Sequence, residues 1–151
     1  MDIRLLKNDE PLPMDLLLQA NPSGEIIKEY IQRGKCYILE EHDNIIGVFV
    51  LIPTRPGTVE LVNVSVAEEK QGRELGKRLV EEAIKIATLA RFKKIEVGTG
   101  NSSISQIALY QKFGFRMTHI DKDFFIHHYK SPIFENGIQC VDMVRFSLDL
   151  I

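Results

Sequence analysis

A glutamate, a glycine-containing turn and a group of basic residues carry the most chemistry in this 151-residue sequence. From Glu60 to Val66 the residues read as a buried strand, which runs into Gln71-Gly72-Arg73-Glu74-Leu75-Gly76 and then into a long amphipathic helix. The first N–H groups of a helix lack partners and its dipole favours negative charge, so such a turn can cradle a pyrophosphate. Lys70, Arg73, Lys77 and Arg78 add positive charge beside it. The same residues also suit a plain strand–helix connection with a solvated basic face, and the physics alone leaves both open. By simple alternation Glu60 shares a face with Val62, Val64 and Val66. Such surroundings raise a carboxyl pKa toward neutrality, as a general base requires. A bulge in the strand would flip that face, and a solvent-exposed strand end is the alternative.

These residues need elements to hold them. Residues 2–6 alternate as a first strand, and residues 14–20 form a short helix after two prolines. Asn21-Pro22 reads as an N-cap followed by a first helical proline, Ile26, Ile27, Tyr30 and Ile31 form the inward stripe, and Gly34 closes that helix. Strands at 35–41 and 45–52 flank a turn at His42-Asp43-Asn44, and a second turn at 53–57 leads to a third strand at 58–66. Leu75, Leu79, Ala83, Ile86 and Ala90 then recur at helical spacing. A short strand at 94–97 precedes a helix with a capping box, Ser103 to Gln106, that stops at Gly114. Strands at 115–120 and 140–148 close the chain around a long aromatic connection at 121–139. The order predicts one α/β domain over residues 1–151, a mixed sheet with helices on both faces.

The stretch Gln71-Gly72-Arg73-Glu74-Leu75-Gly76 resembles the Gln/Arg-x-x-Gly-x-Gly/Ala pattern of the GNAT superfamily of N-acetyltransferases, with Glu74 where the first patterned glycine usually stands. Asn101 to Phe115, with Ala108-Leu109-Tyr110 and Gly114-Phe115, is similar to that family's second cofactor-binding segment. The resemblance implies a mostly antiparallel central sheet of about six to seven strands flanked by about four helices. It implies acetyl-coenzyme A as cosubstrate. Backbone groups of Val64 and Val66, with Ser65 between them, would pair with the pantetheine arm, and the amides of Gly72, Arg73, Glu74, Leu75, Gly76 and Lys77, after Gln71, would hold the pyrophosphate. Asn101 would contact pantetheine or acceptor, Tyr110 would protonate the leaving thiolate, and the Val64 amide would serve the thioester oxygen. Glu60 falls where some members keep a glutamate base. Glu74 suits the helix dipole but repels a pyrophosphate at close range, so its side chain is expected to point to solvent.

Composition narrows the partners. A net charge of -2 argues against a nucleic-acid binder, and the longest apolar run, Ile45 to Ile52, is too short to span a membrane. No basic-then-apolar leader follows Met1, and Cys36 and Cys140 read as reduced core residues, so a cytoplasmic protein is expected. His127-His128 lacks further ligands at metal spacing, and no metal is expected. His119 reads as structural or as a proton shuttle, and Gly98-Thr99-Gly100 lacks the third glycine of a dinucleotide fingerprint. Phe124, Phe125, His128, Tyr129 and Glu135 either shape a pocket for a small amine or pack under the last strand. The leading reading is direct acetyl transfer to a small-molecule primary amine. Protein acetylation and a coenzyme A sensor without turnover are the alternatives. An exposed last strand would allow an edge-to-edge homodimer.

Overall fold

Residues 2–150 are described by the computed structural model; Met1 and Ile151, the outer ends of the expected domain, lie outside the described residues. The chain opens with β1 (Asp2–Leu5), α1 (Met14–Ala20) and α2 (Gly24–Arg33). A meander follows, β2 (Lys35–Glu41), β3 (Asn44–Arg55) and β4 (Thr58–Val66). Then come α3 (Leu75–Leu89), β5 (Lys94–Gly100), α4 (Ile104–Lys112) and β6 (Arg116–Asp121). The aromatic connection holds α5 (Phe124–His128) and a small hairpin, β7 (Phe134–Glu135) and β8 (Ile138–Gln139), before β9 (Met143–Asp149). Seven strands form one sheet in the order β1-β2-β3-β4-β5-β9-β6, antiparallel except where β4 meets β5. This is the expected α/β fold, with five α-helices among the described residues.

The run from Ile46 to Ile52 is apolar at almost every position because helices cover both faces of β3. On one face a side chain at Gly47 would meet Leu79 of α3. On the other, one at Gly34 would meet Ile52 Cγ1 and the Leu51 carbonyl, each at 2.7 Å. Fully buried Phe49 and Phe146 anchor the core, each stabilising by about 1.5–3 kcal/mol.

Local signals were read less well than elements. Ser23, not Asn21, caps α2, accepting from the Ile26 N–H at 3.3 Å, while Asn21 ends α1. Gly34 is extended (φ -126°), so its lack of a side chain serves the close approach to β3 rather than a left-handed cap. The expected capping box does not form: Ser103 Oγ donates to Glu135 Oε1 at 2.8 Å, a long-range partner that wins over the local amide. The last strand is no edge, because β9 lies between β5 and β6, and β6 forms the exposed edge on that side of the sheet.

Candidate active site

A gap opens in the sheet where β4 and β5 part. They pair only over residues 58–61 and 94–97; beyond that β4 follows β3 to Val66 and β5 follows β9 to Gly100. The Ala67 N–H donates to the Ile46 carbonyl at 2.8 Å, which directs residue 67, and by alternation Ser65 and Asn63, toward β3. Val64 and Val66 therefore turn their backbone groups to the gap, an unpaired edge that an extended chain can complete. Gln71 Nε2 donates to the Val66 carbonyl at 3.0 Å and ties the following turn to the strand end.

That turn bends through two left-handed residues, Gly72 (φ +84°) and Glu74 (φ +61°). The second explains why the related pattern prefers glycine there: a side chain in that conformation costs about 1–2 kcal/mol. The Glu74 side chain is exposed, as expected, and Leu75 beside it is buried. No side chain caps α3, no acidic residue lies within its first turn, and its first backbone bond runs from the Arg78 N–H to the Glu74 carbonyl at 3.2 Å. A methyl group on Gly76 or Gly72 would meet nothing within 4 Å. The fold thus gives no packing reason for glycine at 76, although glycine in a helix costs about 1 kcal/mol relative to alanine. A small residue there, glycine or the alanine that the related pattern also admits, would leave the helix end open to a closely approaching anion, and the residues present fit a pyrophosphate. The Glu41 carboxylate holds Lys70 at 3.0 Å and Arg73 at 3.2 Å, and these cations keep it below the usual glutamate range. Lys77 is exposed on the same first turn.

Glu60 sits one residue before the strands part, but not on the face that alternation predicts. Val48, Val50 and Ile52 share a face of β3 and pair with Ser65, Asn63 and Glu60, so a bulge at Leu61–Val62 shifts the phase. Glu60 therefore faces α1 and α2 with Asn63 and Ser65, and not with Val62, Val64 and Val66. Its carboxylate is half-buried, and burial pushes it above the usual glutamate range. Arg145 and Arg33 pull it down, while Glu96, its register partner on β5, pushes it further up. Tyr110 approaches from the other side. It packs on Phe146 at 5.8 Å and on Phe115 at 5.7 Å between ring centres; Phe146 pairs with Val97, Val97 with Leu61, and Leu61 with Leu51 on the α3 face. Burial raises its phenol well above the ordinary value.

Asn101 clasps the chain. Its Oδ1 accepts from the N–H groups of Val141 at 2.8 Å and Asp142 at 3.0 Å, and its Nδ2 donates to the Gln139 carbonyl at 3.1 Å. One Nδ2 hydrogen is left over for a ligand.

A family model described as the Acetyltransferase (GNAT) family matches residues 6–115. The chain belongs to the GNAT family of acetyltransferases. It is 56% identical over 136 residues to the N-acetyltransferase YvbK of Bacillus subtilis, covering 90% of this chain and 88% of that one. A GNAT family acetyltransferase from Elizabethkingia anophelis, with acetyl-CoA bound, is 43% identical and superposes with a TM-score of 0.97 over 99% of this chain and 97% of that one. A Bacillus subtilis acetyltransferase in complex with CoA is 52% identical, with a TM-score of 0.93 over 99% and 98%.

Within this GNAT acetyltransferase several residues near the gap escaped sequence reading. Arg145 of β9 holds Asp121 Oδ2 at 2.7 Å and Glu60 Oε2 at 3.4 Å. A charged residue between Val144 and Phe146 was the available signal. Asn63, a buried amide in an apolar strand, donates to the Leu17 carbonyl at 3.0 Å and to the Tyr30 hydroxyl at 2.7 Å, tying α1 and α2 to β4. Asn63 Oδ1 is buried without a partner. The Tyr129 hydroxyl donates to Asn21 Oδ1 at 2.9 Å, fastening the end of α5 to the α1–α2 junction. Side chains at Gly98 and Gly100 would collide with Met143 and Cys140, which accounts for those glycines without any nucleotide. Exposed His119 lies 3.7 Å from Asp121. Among the described residues, no cluster of three or more His, Cys, Asp or Glu is placed to hold a metal ion.

Proposed function

We propose that this acetyltransferase moves the acetyl group of acetyl-coenzyme A to a primary amine of a small molecule, by direct attack in a ternary complex. The observation that carries the reading is the gap itself: β4 from Val64 to Val66 has no partner strand on its β5 side, only Gln71 on the Val66 carbonyl, with Glu60 on one face and Tyr110 on the other. The amides from Gly72 to Lys77 hold the pyrophosphate, and the edge of β4 around Ser65 pairs with pantetheine. The bound thioester supplies the activated acyl group.

Glu60 removes the proton of the attacking amine, directly or through water. The Val64 N–H, on the gap side of its strand, stabilises charge developing on the carbonyl oxygen. Tyr110 returns a proton to the departing thiolate from the opposite face. Base and acid thus need not exchange places. Cys36 and Cys140 are both buried, and burial raises both thiols, Cys36 to about 12, so neither is an activated nucleophile for a covalent acetyl-enzyme.

On the acceptor side Glu60, Glu96 and Asp121 set three carboxylates against the two guanidinium groups of Arg145 and Arg55, an excess that suits an amine, and the Tyr129–Asn21 bond fastens α5 across to the α1–α2 junction. A homodimer would use β6, whose exposed Met117 and Ile120 lie on the free edge. The reduced-cysteine reading of Cys36 and Cys140, both free here, favours action in the cytoplasm.

Thiol release from acetyl-coenzyme A, with panels of small primary amines and of lysine and N-terminal peptides, tests the reading. Turnover is expected with small amines. Turnover confined to peptides would overturn the acceptor class, and thermal stabilisation by acetyl-coenzyme A without turnover would make the protein a sensor.

A further inference from the structure

Arg145 is unusual in the closing strand because it reaches across a neighbouring strand. Its Cα pairs with Gly98 of β5, the first residue past the last β4–β5 pair, yet its guanidinium meets Glu60 on β4. Glycine at 98 permits that crossing, since a Cβ there would lie 3.1 Å from Arg145 Nη1 and 2.6 Å from Met143 Sδ. The guanidinium is held on further sides as well. Phe124 of α5 lies under it, 5.5 Å from carbon to ring centre, and Asp121 of β6 binds its Nε at 2.7 Å. Asp121 is the closer carboxylate, and Glu60, at 3.4 Å, takes what the pair leaves over.

We propose that Arg145 is a positioning residue for Glu60, holding its carboxylate at the mouth of the gap, and that Asp121 sets how much of the guanidinium charge Glu60 feels. The proposal rests on Glu60 acting as the base. Every charged neighbour of Glu60 enters the balance. Glu96 of β5 pushes against it and is partly neutralised by Arg55 at 2.8 Å. Arg33 at the end of α2 attracts it weakly, and His119 lies 3.7 Å from Asp121 on the same edge. Among the described residues Arg145 alone pairs with both Glu60 and Asp121. An ammonium near Glu60 would otherwise meet a carboxylate free to swing. With one oxygen held from the β9 side, the other is left for the proton.

The arrangement predicts shifts of opposite sign. Removing the arginine charge in Arg145→Met raises the pH at which Glu60 ionises, by about one unit. Asp121→Asn frees the guanidinium for Glu60 and lowers that pH by a smaller amount. Arg145→Lys keeps the charge and restores most of the wild-type value. Asp121 lies on the exposed edge strand, so its variant keeps the fold even if Arg145→Met does not. The experiment is a carboxyl carbon-13 NMR titration of the full chain, with the Glu60 signal assigned by its loss in Glu60→Gln, alongside the pH profile of kcat/KM.

Opposite shifts in the NMR titration, with the acid limb of kcat/KM moving alongside, support the proposal. An unmoved Glu60 signal in Asp121→Asn and Arg145→Met overturns it while leaving Glu60 as base. An acid limb that survives in Glu60→Gln overturns the base reading and the positioning role with it.

Discussion

At the turn into α3 the backbone makes the site, whereas on the Glu60 face side chains from distant elements make it. Gly72, Glu74 and Gly76 shape the turn through their dihedral angles and through the room left over the helix end. Glu60, Arg145, Asp121 and Phe124 come from four separate elements and meet through long-range pairing. Amides at a helix end recognise a phosphate whatever acceptor is used, so the turn suits the part of the reaction common to the family. A side-chain network can vary without moving the backbone, so the Glu60 face suits the part that distinguishes one acceptor from another.

The two regions should fail differently. Glu60→Gln is expected to lower kcat/KM by about 10²–10⁴-fold with little change in acetyl-coenzyme A binding, and to remove the acid limb of the pH profile. In the wild type that limb should lie above the ordinary glutamate range. Burial raises the Glu60 pKa, and the base acts only as carboxylate, so activity falls as pH drops through that raised value. Steady-state kinetics across pH check both points. Unchanged turnover would remove Glu60 from the chemistry. Tyr110→Phe should reduce kcat by about 10²-fold while the melting temperature stays close to wild type; a kcat equal to wild type would exclude it as acid.

The smallest effect is expected at the turn. Glu74→Gly relieves the left-handed side chain and removes a carboxylate beside the helix end, stabilising by about 1 kcal/mol in denaturant unfolding and lowering the acetyl-coenzyme A KM a few-fold. A higher KM would mean that the carboxylate helps the site.

This contrast also explains what was legible in the sequence. The order of elements along the chain, the helical stripes and the turn at 71–76 follow from local periodicity and glycine placement, so they could be read directly. Asn101 and Tyr110 were found through a local segment too, although the clasp that Asn101 makes on residues 139–142 involves partners about forty positions away. Glu60 was singled out as the candidate base, but its face was misread, because a bulge at Leu61–Val62 depends on how β3 pairs rather than on the residues of β4 alone. Arg145 was missed for a related reason: 85 positions separate it from Glu60, and only the sheet order brings them together. Ser103 misled in the opposite sense, carrying a capping signature while its hydroxyl was taken by Glu135.

If residue 76 is small so as to admit the cofactor, and for no reason of packing in the fold, a longer side chain there should cost affinity and not stability. Calorimetric titration of acetyl-coenzyme A into the wild-type chain and into Gly76→Gln, with thermal unfolding of each, measures both. Gly76→Gln, a residue larger than the glycine or alanine of the related pattern, is expected to be as stable as wild type or more so, by up to about 1 kcal/mol, yet to bind acetyl-coenzyme A about tenfold more weakly. Equal affinity in the two chains would contradict it.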